Sequence, residues 1–331
     1  MSVLGRRQLI ALTAAAAAGA VRPARALMPR PAPLSPPVKL TLGANIVPHV
    51  APFHYIVDEL KPLGVQVELA KFARYADTRT AMASGSIDAG SIGPADVAIA
   101  LSQGLHTIIA LMGVGVSVKN PIVKQGLQLT KWDDLIGPRI GIAPGSAVWF
   151  QFAATLTEAN VPYGKLNTIN MQGAGTAFLQ AMQRGDIDLF IGWEPFESQA
   201  VLGGLGVRDG ALDYSKSKAV GAELGLVGVN RDYLKAHPEA VERLVWAYLS
   251  IQQRLDASKQ ALATAIAAYT GLPENVARSV ADVTTLGQFL TLDQMKRQAA
   301  TFHQLGVLTK DVSGELDQYF DSGLATRVAA S

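Results

Sequence analysis

Met182-Gln183-Arg184-Gly185-Asp186-Ile187-Asp188-Leu189-Phe190-Ile191-Gly192-Trp193-Glu194-Pro195 reads as a helix end, a glycine stop, an Ile-Asp lead-in, a short apolar strand and a turn closed by proline. One hundred residues earlier, Met82-Ala83-Ser84-Gly85-Ser86-Ile87-Asp88-Ala89-Gly90-Ser91-Ile92-Gly93-Pro94 repeats that order. The glycine supplies the positive φ that ends a helix. The strand behind it is too apolar for an exposed edge. So long a separation exceeds any solenoid period. The two stretches therefore read as copies of one αβ unit in two similar lobes, with coincidence as the competing reading.

Working outward from the first copy, Val38 to Leu42 alternates as a strand and Gly43-Ala44-Asn45 follows as a loop. Phe53, Ile56, Val57 and Leu60 form a helical stripe, and Val65 to Leu69 alternates again. Asp77 is placed to cap the helix that ends at Gly85. A helix from Ala95 to Gln103 and a strand from Thr107 to Met112 complete this part. Strands alternating with helices imply a largely parallel sheet covered on both faces. The glycines between Gly113 and Gly126 mark an irregular crossing into a second lobe. There Arg139 to Ile142 is a strand, Ser146 the N-cap of a helix to Ala159, Leu166 to Met171 a strand, and Gln172-Gly173-Ala174-Gly175 a loop before the helix Thr176 to Arg184. Ala219 to Val229 returns the chain to the first lobe, and everything from Arg231 onward reads as helix.

Composition narrows the function classes. Hydrophobic residues make up 49% and charged residues 17%, as in a packed globular chain. With no cysteine, disulfides, thiol catalysis and thiolate zinc are excluded together. Arg6-Arg7 precede the apolar run Leu9 to Val21, and Ala24-Arg25-Ala26 offers an A-x-A cleavage site, so residues 1–26 read as an export signal removed near Ala26. The paired arginines fit the twin-arginine route, with an ordinary Sec signal as the alternative. The signal's four arginines leave 25 basic against 27 acidic residues, a formal charge of −2. Without basic clusters, a nucleic-acid partner is excluded from the expectation. The expected organisation is a Pro-rich terminus at 27–37, lobe one at 38–117, lobe two at 118–222, and a mostly helical return to lobe one at 223–331.

Parallel α/β sheets bind ligands at the carboxyl ends of their strands. That rule selects Asn45 and Ser91 from lobe one, and Ser146, Gln172, Trp193 and Glu194 from lobe two. A helix start at Ser146 suits an anion, its plain alternative being an N-cap. Trp193 suits stacking on an organic ligand or packing between layers. Glu194 suits an amine or the capping of a neighbouring helix. Ala143-Pro144-Gly145-Ser146-Ala147 lacks the second glycine of a nucleophile elbow, and no phosphate loop or H-E-x-x-H motif occurs. His49 and His54 are wrongly spaced for one helical face, and the other histidines are scattered singly. No metal, cofactor or catalytic residue is expected.

Trp132-Asp133-Asp134-Leu135-Ile136-Gly137, Arg139-Ile140-Gly141-Ile142-Ala143-Pro144-Gly145-Ser146, the two Gly-x-Ile-Asp units and His237-Pro238-Glu239 together resemble periplasmic solute-binding proteins of the nitrate/sulfonate/taurine class, which serve ABC importers. The resemblance covers most of residues 38–250. It implies a two-lobed, type II periplasmic-binding fold, each lobe a mainly parallel sheet flanked by helices. It also implies a small-molecule ligand and a membrane permease as partners. The chain is expected to act as a periplasmic monomer, with a sensory module or an exported enzyme as alternatives. Gly137-Pro138 stands where the family carries Gly-Lys, and the segment Gly113 to Pro121 is short, so ligand identity does not transfer.

Overall fold

A computed structural model describes residues 27–171 and 175–329. Residues 1–26, expected to be an export signal, and Gln172 lie outside the described residues. Lobe one opens with β1 (Val38–Asn45), a single 3-10 turn at Pro48–Val50, α1 (Phe53–Leu60), β2 (Val65–Phe72), α2 (Tyr75–Ala83), β3 (Ala89–Ile92), α3 (Asp96–Ser102) and β4 (Ile108–Ser117). Lobe two follows with β5 (Ile122–Val123), β6 (Arg139–Ile142), α4 (Ala147–Glu158), β7 (Asn167–Asn170), α5 (Thr176–Arg184), β8 (Leu189–Phe190), α6 (Phe196–Leu202) and β9 (Val207–Arg208). The chain then re-enters lobe one through β10 (Glu223–Asn230), α7 (Arg231–Ala236), α8 (Pro238–Asp256), α9 (Lys259–Thr270), α10 (Glu274–Val283), β11 (Thr284–Leu286), α11 (Leu292–Gln304) and α12 (Ser322–Val328).

The six-stranded sheet has the order β11-β4-β10-β3-β1-β2, and the five-stranded sheet β7-β6-β8-β5-β9. Both are mixed. In each, three adjacent strands are parallel (β2-β1-β3 and β7-β6-β8), and the strand by which the chain enters from the other lobe, β10 or β5, runs antiparallel to them. The parallel trios are equivalent, as the repeated stretch predicts. Gly85 and Gly185 both take left-handed φ, at 74° and 73°. Ile87 and Ile187 are buried, their tips lying over Gly43 and Gly141. Asp88 accepts the Thr41 N–H at 2.7 Å, and Asp188 accepts the Arg139 N–H at 2.8 Å.

Three sequence expectations are corrected. The crossing does not begin at Gly113: β4 continues to Ser117 and pairs with β10 and β11. Gly115 sits within that strand because β11 approaches closely; a Cβ there would lie 2.6 Å from the Thr285 carbonyl oxygen. The return is not wholly helical, since Thr284 to Leu286 forms the edge strand β11; three residues are too few to register as a period. Asp77 does not cap α2, which begins at Tyr75; it sits inside the first turn and pairs with Arg74 at 2.9 Å. The Pro-rich terminus is extended but laced down rather than loose. The buried Arg243 guanidinium donates to the Ala32 carbonyl at 2.6 and 3.0 Å, and Trp246 Nε1 donates to Met28 O at 3.0 Å.

The lobe-one core is built by β1, β3, β4 and β10 against α1, α8 and α9, with Phe53 meeting Tyr248 edge to face at 5.4 Å between ring centres. Lobe two has two smaller apolar clusters, one on each side of β6 and β8. No described helix is long and apolar enough to cross a membrane.

Where β1 and β3 lie side by side, a Cβ on Gly90 would sit 2.6 Å from the Gly43 carbonyl oxygen, a backbone atom that cannot swing away. Gly90→Ala is therefore expected to lower stability by about 1–3 kcal/mol, read as a fall in Tm and denaturation midpoint; an unchanged midpoint would contradict the close strand contact.

Candidate ligand-binding cleft

The carboxyl ends of the parallel trios present Asn45, Phe72 and Ile92 from lobe one, and Ile142, Asn170 and Phe190 from lobe two. The lobes are joined by two crossings, residues 118–121 and 209–222, and touch on both flanks. On one flank Ser279 Oγ of α10 donates to Ser198 Oγ of α6 at 3.0 Å. On the other, Phe150 of α4 meets Phe302 of α11 at 5.6 Å between ring centres. Two surface hollows lie elsewhere, around Arg231 and around Asn230. They lie at the opposite ends of the strands from the helix starts, and it is the strand topology that locates the candidate site.

In lobe two, Ser146 is the N-cap of α4, its Oγ accepting the Trp149 N–H at 3.1 Å. The hydroxyl hydrogen is left to donate. Pro144 and Gly145 before it are exposed, and the first turn holds no acidic side chain. The start of α5 is equally free of acid. Trp193 is half-buried and packs edge to face on Phe178 and Phe196, at 5.6 and 6.0 Å. Of the two fates expected for this ring, the structure shows the packing one, with the ring still partly exposed.

Glu194 is turned inward. It accepts the Ser198 N–H at 3.1 Å and the Ser198 hydroxyl at 3.0 Å, capping α6, and pairs with Arg208. The same guanidinium bonds Glu197 at 2.7 Å. Two buried carboxylates thus share one cation. Burial, then the charge of Glu194, pushes Glu197 up to about 7 against the pull of Arg208. Of the two fates expected for Glu194, the structure places it at the cap, with both oxygens occupied.

In lobe one, Asn45 and Ser91 are both buried and bonded to each other. Ser91 Oγ donates to Asn45 Oδ1 at 2.9 Å and accepts the Asn45 N–H at 3.0 Å. Thr78 of α2 donates to the same Oδ1 at 3.0 Å, and Tyr269 Oη donates to the Asn45 carbonyl at 2.8 Å. These side chains tie β1, β3 and α2 together at the edge of the cleft, and hold the loop that follows β1. The structure brings Asn45 and Ser91 together, and places Ser146, Trp193 and Glu194 on the facing lobe.

Three groups were not selected from the sequence, His49 having been set aside there by its spacing from His54. His49 follows β1, and its Nε2 lies 2.5 Å from the hydroxyl of Tyr75 at the start of α2. Although the ring keeps partial access to solvent, burial and the nearby Lys119 charge pull it down to about 3. Lys119 lies in the first crossing, only 5% exposed. Its Nζ donates to Gln151 Oε1 at 2.8 Å, Glu223 O at 3.0 Å and Gly221 O at 3.2 Å. Burial pulls it down to about 7, opposed by the charges of Glu223, Asp213 and Glu197. A lone histidine in a loop and a lone lysine between strands carry no spacing signal, so only their neighbours in space mark them.

Comparison with known proteins agrees with this architecture. The periplasmic aliphatic sulphonate binding protein of Escherichia coli superposes with a TM-score of 0.71 at 18% identity, over 86% of this chain and 92% of that one. The periplasmic nitrate-binding protein of Synechocystis PCC 6803 gives 0.72 at 17%, over 90% and 89%. At these identities the likeness establishes the fold, that of periplasmic binding proteins. The taurine-binding periplasmic protein of Escherichia coli strain K12 is 28% identical over 197 residues; the match spans 58% of this chain and 58% of that protein's length. The NMT1-like family model matches residues 35–270, most of the sequence, and the chain belongs to the NMT1-like family.

Proposed function

We propose that this protein is the periplasmic substrate-binding component of an ABC importer, capturing a small anion of the sulfonate, taurine or nitrate kind between its lobes. The observation that carries the reading is the pair of parallel trios, joined by two crossings, whose carboxyl ends supply the acid-free start of α4 at Ser146 on one side and the His49–Tyr75 edge on the other. A helix start attracts an anion through its free N–H groups and the partial positive charge of its dipole. The relatives, named as binding proteins for taurine, aliphatic sulphonates and nitrate, support the same reading. Capture followed by delivery to a permease, rather than conversion, is the role that goes with those names, as is export to the periplasm behind residues 1–26.

Ser146 and Trp193 are proposed to contact the solute directly, with Gln172 joining them from the loop before α5. Asn45 and Ser91 hold the opposite edge in place, and Glu194 serves lobe two from within. Closure requires contacts made to both lobes at once, because a ligand held equally well in open and closed forms shifts no equilibrium.

A thermal-shift screen of taurine, methanesulfonate, nitrate, bicarbonate and simple amines tests the proposal. One of the anions should stabilise the protein, by about 2.7 kcal/mol when present at 100 times its Kd, whereas a flat response to all of them would remove the capture role. Trp193→Ala should weaken binding of that anion by about tenfold or more in titration calorimetry, a loss of roughly 1.4 kcal/mol. Ser146→Ala should lower both anion affinity and, through the lost cap, stability by about 1 kcal/mol. Unchanged affinity in both variants would move the site elsewhere.

A further inference from the structure

We propose that His49 and Tyr75 form a neutral hydrogen-bond donor that anchors the anionic head of the solute to lobe one. The inference rests on the capture reading above and names a contact within it. The two groups sit 2.5 Å apart at the edge of the sheet from which β1 and β2 point towards lobe two. A neutral imidazole carries one N–H and a phenol one O–H. Their mutual bond uses one of these hydrogens. If Tyr75 donates to Nε2, the Nδ1–H of His49 is left over; if the imidazole donates, the Tyr75 O–H is left over. Either tautomer leaves one polar hydrogen, and among the described residues neither group has another hydrogen-bond partner.

The pair is held in place before any ligand arrives. Thr78, one turn beyond Tyr75, is bonded to Asn45 at the end of β1. Gly225 leaves room for the phenol, since a Cβ there would lie 2.6 Å from the Tyr75 hydroxyl oxygen. Burial first, and then the nearby Lys119 charge, keeps the ring neutral. Lys119 faces His49 from the crossing, its ammonium satisfied by three uncharged oxygens rather than by a carboxylate. Asp96, Tyr248 and Tyr269 face Tyr75, and the Asp96 carboxylate is tied to Arg79 and to the Gly93 N–H. A preorganised, uncharged donor stabilises a ligand oxygen without needing a proton of its own.

The test uses taurine, methanesulfonate and nitrate with the whole protein, and takes whichever binds the wild type. His49→Phe and Tyr75→Phe should each weaken that anion by about tenfold or more, while His49→Gln, which keeps an uncharged N–H, should stay within a few-fold. Long-range 15N–1H spectra should report a neutral His49 imidazole from pH 5 to pH 8, with one ring nitrogen shifting on anion addition. Wild-type affinity in both phenylalanine variants overturns the assignment. So do spectra that show His49 itself gaining a proton as pH falls through about 6.5, the ordinary histidine value, because that is the signature of an imidazolium. If none of the three anions binds the wild type, the capture reading itself fails, and that outcome is distinct from binding that ignores His49 and Tyr75.

Discussion

In each lobe, one carboxylate at the head of the third parallel strand grips the backbone N–H of the first: Asp88 on Thr41 and Asp188 on Arg139. The bond is charge-assisted and satisfies an N–H that the strand ladder leaves open. It fixes where β3 and β8 start against β1 and β6, with Leu42 opposite Ala89 and Ile140 opposite Leu189. Everything at the other end of those strands follows from that register. In lobe two the Arg139 guanidinium also wraps the carboxylate, with Lys124 on the same group, and holds it well below the usual carboxylate range. Glycines at 43 and 141 complete the device by admitting the tips of Ile87 and Ile187.

The hinge solves a different problem. A lysine buried between two lobes needs oxygen partners, and Lys119 finds them on α4 of lobe two and on the returning segment at Gly221 and Glu223. One side chain thereby ties both crossings and a lobe-two helix together. Its counter-charges, Glu223, Asp213 and Glu197, surround it without touching it. The second crossing is gripped from α4 as well: Glu158 accepts the Ser217 hydroxyl at 2.5 Å and the Lys218 N–H at 3.2 Å. Few backbone segments are left to flex between the sheets, which favours a swing about a short pivot over a diffuse opening.

Charge is distributed unevenly around the cleft. Glu194 and Glu197 share Arg208 within lobe two, and Asp96 is paired within lobe one with Arg79. The starts of α4 and α5 carry no acid. Acidic groups near the gap are therefore bound up in the scaffold, whereas the helix starts and the Lys119 field act outward. That asymmetry, rather than a cluster of free cations, is what suits the site to an anion.

The duplicated αβ unit was legible because it is local: a helix-stopping glycine, an inward isoleucine and a gripping aspartate recur within six residues of each other, and each obeys short-range sterics. The same holds for Ser146, whose place as an N-cap depends only on the helix that follows it. What the amino-acid order could not reveal is which polar groups meet across distance. Asn45 and Ser91 stand at strand ends, as the topology rule demands, yet the fold brings two residues 46 positions apart into mutual contact and removes them from solvent. His49 and Tyr75, and Lys119 with Gly221 and Glu223, acquire their chemistry from neighbours supplied by other strands. Backbone conformation is set by adjacent residues, but the protonation and availability of a side chain are set by whatever the tertiary fold places within hydrogen-bonding reach.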